Sequence, residues 1–250
     1  MPIVKTSNYN RNQLLFNGHL QTIYPAFFRK KVNLPFERER IKTPDGDFLD
    51  LDWLKRDSKS LKPIFYHSGA TYDLDLVVSH ASESYASIYL VGFSLGANIT
   101  LKYLGEPHWK SKKNIKKAMA ISAPMDLGGS CDKIDGLRNK LYAINFLLSL
   151  KQKIKQKALV FPDKFSAEKL SHIRTIRGFD NEFTAPLHGF TDAEDYYNRC
   201  SSLQYLPEIN HPTLILNAQN DPFLSNSCFP TMKETFSKNL FTEYPKHGGH

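Results

Sequence analysis

SIYLVGFSLGAN, residues 87–98, is the stretch that decides the fold, because an apolar run leads at once into a serine flanked by glycines. Residues 87–91 are short, apolar and partly β-branched, which predicts a buried strand. The apolar residues between positions 98 and 104 have helical spacing, and Gly105 is predicted to cap that helix. The chain is therefore expected to turn sharply from a strand into a helix around Ser94.

A serine at such a bend has its hydroxyl exposed, and the helix that follows offers free N–H groups and a positive dipole end to negative charge. We predict that Ser94 is a nucleophile; the alternative is a purely structural turn. Gly92 and Gly96 are both predicted to be required, since a Cβ at either position would collide across the bend.

Composition predicts a single soluble domain over residues 1–250. The chain is 41% hydrophobic, which is ample for a core, and its formal net charge is +8. The lysines are dispersed or helical, without an arginine-rich stripe, so no nucleic-acid partner is expected. Three widely spaced cysteines, no apolar leader and no run of about twenty apolar residues indicate a cytoplasmic protein with reduced thiols and no transmembrane segment.

The remaining elements alternate between strands and helices, which predicts an α/β fold with a mostly parallel sheet and helices on both faces. An antiparallel hairpin is predicted around a turn at Pro44-Asp45-Gly46. The segment from about 125 to 200 is predicted to be a helical, cap-like insertion. The predicted strands are 36–42, 48–54, 117–122, 213–217 and 240–244, and the predicted helices are 72–84, 139–159 and 192–200.

A serine nucleophile needs a base that removes its proton and an acid that orients the base. Asp221 lies on a loop after the strand 213–217, where such an acid belongs; the alternative is an ordinary Asp-Pro turn. His250 follows the last predicted strand through two glycines and is our choice of base, with His247 as the competitor. The two histidines, His247 and His250, have no apparent third ligand nearby, so no metal site is predicted. No cofactor is expected.

Six sequence blocks resemble the YheT-like α/β-hydrolases, a family that also includes eukaryotic membrane-associated acyl-ester hydrolases. The blocks occur in family order and cover almost the whole chain. The resemblance implies an α/β-hydrolase fold and an esterase-like serine hydrolase with Ser94 as nucleophile, Asp221 as acid and His250 as base. It assigns no chemistry to the first block. The blocks are NGHLQT (17–22), YHSG (66–69), GFSLGAN (92–98), TAPLHGF (184–190), NAQNDP (217–222) and HGGH (247–250).

Two departures from the family pattern are expected to leave the fold incomplete. Between Leu54 and Pro63 there is no room for the two strands and the His-Gly oxyanion loop that the family has there. The strand that leads into Ser94, which we call the elbow strand, should therefore have an exposed edge. The sequence also stops at His250, where the family continues into a closing helix. The elbow itself retains one oxyanion donor, the backbone N–H of Leu95.

These features predict cleavage of small-molecule carboxylic esters through an acyl-enzyme. The Leu-rich segment around 141–150 indicates an apolar acyl group, and core packing is an equal alternative explanation for that segment. The alternative is a catalytically impaired remnant of the family that acts as a binding protein or has no activity.

Overall fold

Two separate sheets carry the fold of the computed structural model, which describes residues 9–29, 35–44, 48–53, 69–109, 114–160, 168–230 and 237–250. The first two strands pair antiparallel, and the other four form a parallel sheet in the order β3-β4-β5-β6. The strands are β1 (Glu37–Lys42), β2 (Phe48–Trp53), β3 (Ile88–Phe93), β4 (Ile115–Ile121), β5 (Thr213–Leu216) and β6 (Leu240–Glu243).

Helices alternate with the parallel strands, which confirms the predicted α/β class. The predicted helices at 72–84, 98–104, 139–159 and 192–200 correspond to α2, α3, α5 and α8 of the structure. The helices are α1 (Gly18–Phe28), α2 (Thr71–Ser84), α3 (Leu95–Gly105), α4 (Leu127–Asp135), α5 (Lys140–Val160), α6 (Ile176–Phe179), α7 (Ala185–Leu187) and α8 (Ala193–Cys200). Among the described helices, none combines the length and hydropathy needed to cross a bilayer. The predicted turn residues Asp45 and Gly46, and Tyr66 to Ser68, lie outside the described residues.

One face of the parallel sheet forms the main core. Alternate strand residues are buried there against α3, whose Leu101 and Tyr103 have no exposed surface. Gly105 at the end of α3 is needed for this packing, because a Cβ would lie 2.3 Å from the carbonyl oxygen of Tyr205. Its predicted role as a helix cap is wrong, since Gly105 is the last residue of the helix and the C-cap is Glu106, which has an extended backbone.

The other face of β3 is open. Tyr89, Val91 and Phe93 alternate with the buried residues and keep 63%, 58% and 63% of their surface exposed. Among the described strands, β3 is the outermost of the parallel sheet. The predicted exposure of the elbow strand is therefore confirmed for the part of the chain that the structure describes.

Helices α4 to α8 all lie between β4 and β5 in the sequence, and they bury apolar clusters of their own. From α5, the rings of Tyr142 and Phe146 contact Phe223, with ring centroids 4.8 and 5.7 Å apart. Phe223 belongs to the loop after β5. This helical segment therefore packs against the loop that carries Asp221.

Candidate active site

Ser94 occupies the bend between β3 and α3. Its backbone has φ 51° and ψ −121°, a conformation that side-chain-bearing residues rarely adopt. The Ser94 N–H donates to the carbonyl oxygen of Ile121 at 3.0 Å, and the Ser94 carbonyl accepts from Ala97 and Asn98 in the first turn of α3. The strand on one side and the helix on the other therefore hold the strained residue in place.

The two glycines of the motif have different roles. A Cβ on Gly92 would lie 2.4 Å from the carbonyl oxygen of Gly96 and 2.7 Å from the Cα of Ala97. Apart from its chain neighbours and the backbone of its own helix, no atom of the described residues lies within 4 Å of the position that a Cβ on Gly96 would take. The prediction from sequence is confirmed for Gly92 and wrong for Gly96. A Cβ on Gly92 would overlap the backbone of Gly96, whereas a Cβ on Gly96 would have open space.

Gly92→Ala is expected to lower the free energy of unfolding by about 3 kcal/mol, since the new methyl group overlaps backbone atoms that cannot move aside. Gly96→Ala, the matched control, is expected to raise it by about 0.5–1 kcal/mol, because alanine favours the helical backbone. Urea unfolding followed by circular dichroism measures both values. Equal effects of the two substitutions would contradict this assignment of the clash.

Two hydrogen bonds bring the three predicted residues together. His250 Nε2 lies 2.9 Å from Ser94 Oγ, and His250 Nδ1 lies 2.8 Å from Asp221 Oδ2. With the ring proton on Nδ1, the imidazole donates to the carboxylate and accepts from the serine hydroxyl. The Asp221 side chain has no exposed surface and that of His250 keeps 18%. A buried acid, a partly exposed base and a serine thus form one continuous chain of hydrogen bonds.

The loop of Asp221 is fixed from several sides. Asp221 Oδ1 accepts from the backbone N–H of Phe223 at 2.8 Å, so both carboxylate oxygens are used. Lys133 Nζ donates to the carbonyl oxygens of Asp221 and Leu224, and Asn139 donates to that of Pro222. The Phe223 ring packs against the His250 ring at 4.6 Å between centroids. These contacts restrict the directions in which the acid and the imidazole can point.

His247, the competing base, is not the histidine that bonds to Ser94. It lines the same cavity, and its buried Nδ1 has no hydrogen-bond partner among the described residues. Within the described ranges, no group of three His, Cys, Asp or Glu side chains could hold a metal ion.

The N–H of Leu95, the predicted oxyanion donor, belongs to the first residue of α3. First-turn N–H groups have no partner within their own helix, so this donor is available beside Ser94. The loop that supplies a second donor in the family is the one predicted to be missing after Leu54, and residues 54–68 lie outside the described ranges.

A cavity of about 520 Å³ adjoins Ser94 and His250. Its wall is largely apolar where β3, β4 and β5 end, since Phe93, Ile121 and Leu216 line it. Apolar walls with a few polar groups at one end are typical of small-molecule sites.

Ser122 also lines this cavity and was not among the predicted site residues. It shares with Ser94 a positive φ, here 52°, that no other non-glycine residue of the described chain has. The buried amide of Asn217 holds the turn, because it accepts from the Ala123 N–H at 2.7 Å and donates to the Ala123 carbonyl at 3.2 Å. No sequence signal pointed to Ser122, since a positive φ at a serine has no pattern of its own.

Two of the cysteines, Cys131 and Cys200, do not offer a competing nucleophile. All three are buried and unpaired. Burial raises the pKa of Cys131 to about 12 and that of Cys200 to about 11. A thiol with so high a pKa carries almost no thiolate at neutral pH.

Comparison with known proteins yields relatives across most of the chain, although no protein-family model matches it. The chain is 28% identical to YheT of Escherichia coli strain K12, whose name suggests an esterase, over 94% of this chain and 83% of that one. It is 34% identical to a monoacylglycerol lipase of Saccharomyces cerevisiae, over 65% of this chain and 38% of the lipase. Among solved structures, the esterase Pf2001 of Pyrococcus furiosus superposes with a TM-score of 0.48 at 14% identity, over 87% of this chain and 85% of that one.

The length of the YheT alignment bears on the expected missing segment. It spans 286 positions but contains only 94% of the 250 residues, or 235, so 51 positions of the alignment have no residue of this chain. The alignment with YheT therefore contains positions that have no counterpart in this chain. By its sequence matches, and by the parallel sheet that carries Ser94 on a turn from strand to helix, the chain is similar to the YheT-like α/β-hydrolases.

Proposed function

We propose that this protein is a serine hydrolase that cleaves carboxylic esters through an acyl-enzyme. The observation that carries the proposal is the continuous hydrogen-bond chain from Asp221 through His250 to Ser94, at 2.8 and 2.9 Å. These distances are within the reach that proton transfer needs. The esterase and lipase names of the relatives agree with this reaction class.

Acylation begins when Ser94 Oγ attacks the ester carbonyl carbon while its proton moves to His250 Nε2. The carbonyl oxygen becomes an oxyanion, to which the Leu95 N–H donates. The tetrahedral intermediate then expels the alcohol, which leaves with the proton from His250. In the second half, water gives its proton to His250 and attacks the acyl carbon, and Ser94 recovers its proton as the carboxylic acid departs.

Asp221 serves this cycle by orientation and charge. Its carboxylate accepts from Nδ1, which keeps Nε2 free to take the serine proton, and it stabilises the imidazolium formed in each half reaction. The second Asp221 oxygen is held by the Phe223 N–H, so the carboxylate cannot swing away.

The substrate we propose is a small ester with an apolar acyl group. The acyl chain would lie in the cavity, against Phe93, Ile121 and Leu216. We propose that the chain is one domain and that the helical segment of about 125–200 acts as a cap. Its Tyr142 and Phe146 already pack on Phe223 beside the base.

One observation favours a second candidate, a binding protein with impaired catalysis. Within the described part of the chain, Leu95 is the only oxyanion donor that we identify beside Ser94. The loss of a single such donor typically lowers turnover by about 10²–10³.

A fluorophosphonate probe distinguishes these candidates, because it forms a stable adduct with an activated serine. We expect stoichiometric labelling of the folded protein, with the adduct mapped to Ser94 by peptide mass spectrometry. Ser94→Ala should abolish the adduct. Ser122→Ala, which alters the other serine in the cavity, should retain it. Absence of an adduct on protein that unfolds cooperatively would reject the hydrolase in favour of the binding protein.

A further inference from the structure

The first turns of α1 contact both of the loops that carry Asp221 and His250, although the sequence motif NGHLQT of residues 17–22 has no assigned chemistry. We propose that Gly18, Gln21 and Thr22 form a tether that positions the imidazole of His250. This inference rests on the proposed function, since it assigns a role relative to the same three residues. The tether acts through the backbone of the base and does not touch the reacting atoms.

The start of α1 is fixed by its own sequence. Asn17 has an extended backbone, and its Oδ1 accepts from the Leu20 N–H at 2.9 Å, which makes Asn17 the helix N-cap. The next residue must be glycine, because a Cβ on Gly18 would lie 1.9 Å from the carbonyl oxygen of Asn220. The helix therefore begins directly against the backbone of the residue that precedes Asp221.

Gln21 uses its amide to join the two loops. Its Oε1 accepts from the Gly248 N–H at 2.7 Å and from Asn220 Nδ2 at 3.0 Å. Its Nε2 donates to the Leu15 carbonyl oxygen at 2.6 Å, which sets which end of the amide faces the loops. Asn220 Oδ1 in turn accepts from the Gly249 N–H at 3.1 Å. The Gln21 side chain is almost fully buried, so water does not compete readily for these bonds.

Thr22 holds the base itself. Its Oγ1 accepts from the backbone N–H of His250 at 3.0 Å and donates to the Gly18 carbonyl oxygen at 2.8 Å. Gly249 has φ +66°, and a Cβ there would lie 2.8 Å from Gln21 Cβ and 2.9 Å from the Thr22 nitrogen. Gly249 thus allows the chain to pass close to α1, and the hydroxyl of Thr22 then holds the His250 backbone in position.

The two ring nitrogens of His250 bond to Asp221 and Ser94, and the backbone N–H of His250 donates to Thr22. A displacement of about 1 Å in such a site can lower the rate by about 10²-fold, even when its cause lies away from the chemistry. Loss of the tether should therefore lower kcat and the rate of probe labelling, while the cavity wall and KM are preserved.

The test compares Thr22→Val, which removes the hydroxyl at constant shape, with Thr22→Ser, which restores it. We expect Thr22→Val to slow fluorophosphonate labelling of Ser94 and kcat by about 10- to 100-fold, with KM within about twofold. Thr22→Ser should return both rates to within about threefold of the unmodified protein. Gln21→Met should act like Thr22→Val. Ile23→Ala, on an exposed position of the same helix, should leave both rates unchanged.

Each rate is measured well below the thermal midpoint of the variant, so that unfolding does not imitate a loss of activity. Labelling of folded Thr22→Val and Gln21→Met at the original rate would overturn the tether. The proton NMR signal of the His250 Nδ1–H bond to Asp221 gives a readout independent of turnover. If the unmodified protein is not labelled, the proposed function fails, and the tether then stands or falls on a shift or loss of this signal in Thr22→Val.

Discussion

Ser94→Ala is expected to lower ester turnover by about 10⁶-fold, because the acyl-enzyme route then has no nucleophile and only binding and oxyanion stabilisation remain. The measurement is kcat for a chromogenic short-chain ester, with protein purified away from host esterases. The cavity loses only one oxygen atom, so KM for any residual activity should change little. A loss of less than about 10-fold would show that another group carries the reaction.

Stability separates this loss from misfolding. Alanine at position 94 must adopt the same positive φ of 51° as serine, so Ser94→Ala should unfold close to the original midpoint. Ser94→Gly, which adopts that φ without strain, is expected to gain about 1 kcal/mol of stability and to be equally inactive. Two inactive variants that remain folded would locate the defect in the hydroxyl.

Asp221→Asn is expected to lower kcat by about 10⁴-fold with little change in KM. The neutral amide no longer stabilises the imidazolium. An asparagine NH₂ facing Nδ1 would also favour the tautomer with its proton on Nε2, which cannot accept from Ser94. The amide oxygen can still accept from the Phe223 N–H, so the loop should keep its shape.

The matched control is Asp192→Asn. Asp192 caps α8 by accepting from the Asp195 N–H, and asparagine caps equally well. This variant should retain full turnover. If Asp221→Asn lost less than about 10-fold, Asp221 would be the Asp-Pro turn residue of the alternative interpretation.

The parallel strands were predictable because each is a short apolar run between turn signals. Helix α1 was missed because its buried positions, Gly18 and Gln21, are not apolar, and Pro25 lies within it. Helix α4 was missed for a similar reason, since it begins Leu-Gly-Gly. Periodicity detects helices that bury a regular apolar stripe; α1 buries a glycine and a glutamine, and α4 buries only Leu127, Ser130 and Cys131.

The three residues of the candidate site were predictable from the sequence, but the contacts that hold them in place were not. Chain order and flanking loops selected Asp221 and His250, and geometry brings His250 rather than His247 to Ser94. The catalytic roles of the three residues stay predictions. The contact of Gln21 with Gly248 joins positions 227 apart, and no local pattern encodes such a contact. The only sign of this contact in the sequence was a glycine at positions 18 and 249, where a Cβ would lie within 3 Å of other atoms.

The bond from Thr22 to His250, across 228 positions, also sets when a growing chain can become active. At about 5–20 residues per second, the 156 positions between Ser94 and His250 take roughly 8–30 s to translate. During that interval Ser94 has neither the imidazole of His250 nor the carboxylate of Asp221, so under the proposed mechanism the nascent polypeptide does not hydrolyse esters. Under that mechanism, hydrolysis begins only after the segment around residue 250 has folded back onto α1, which is synthesised long before it.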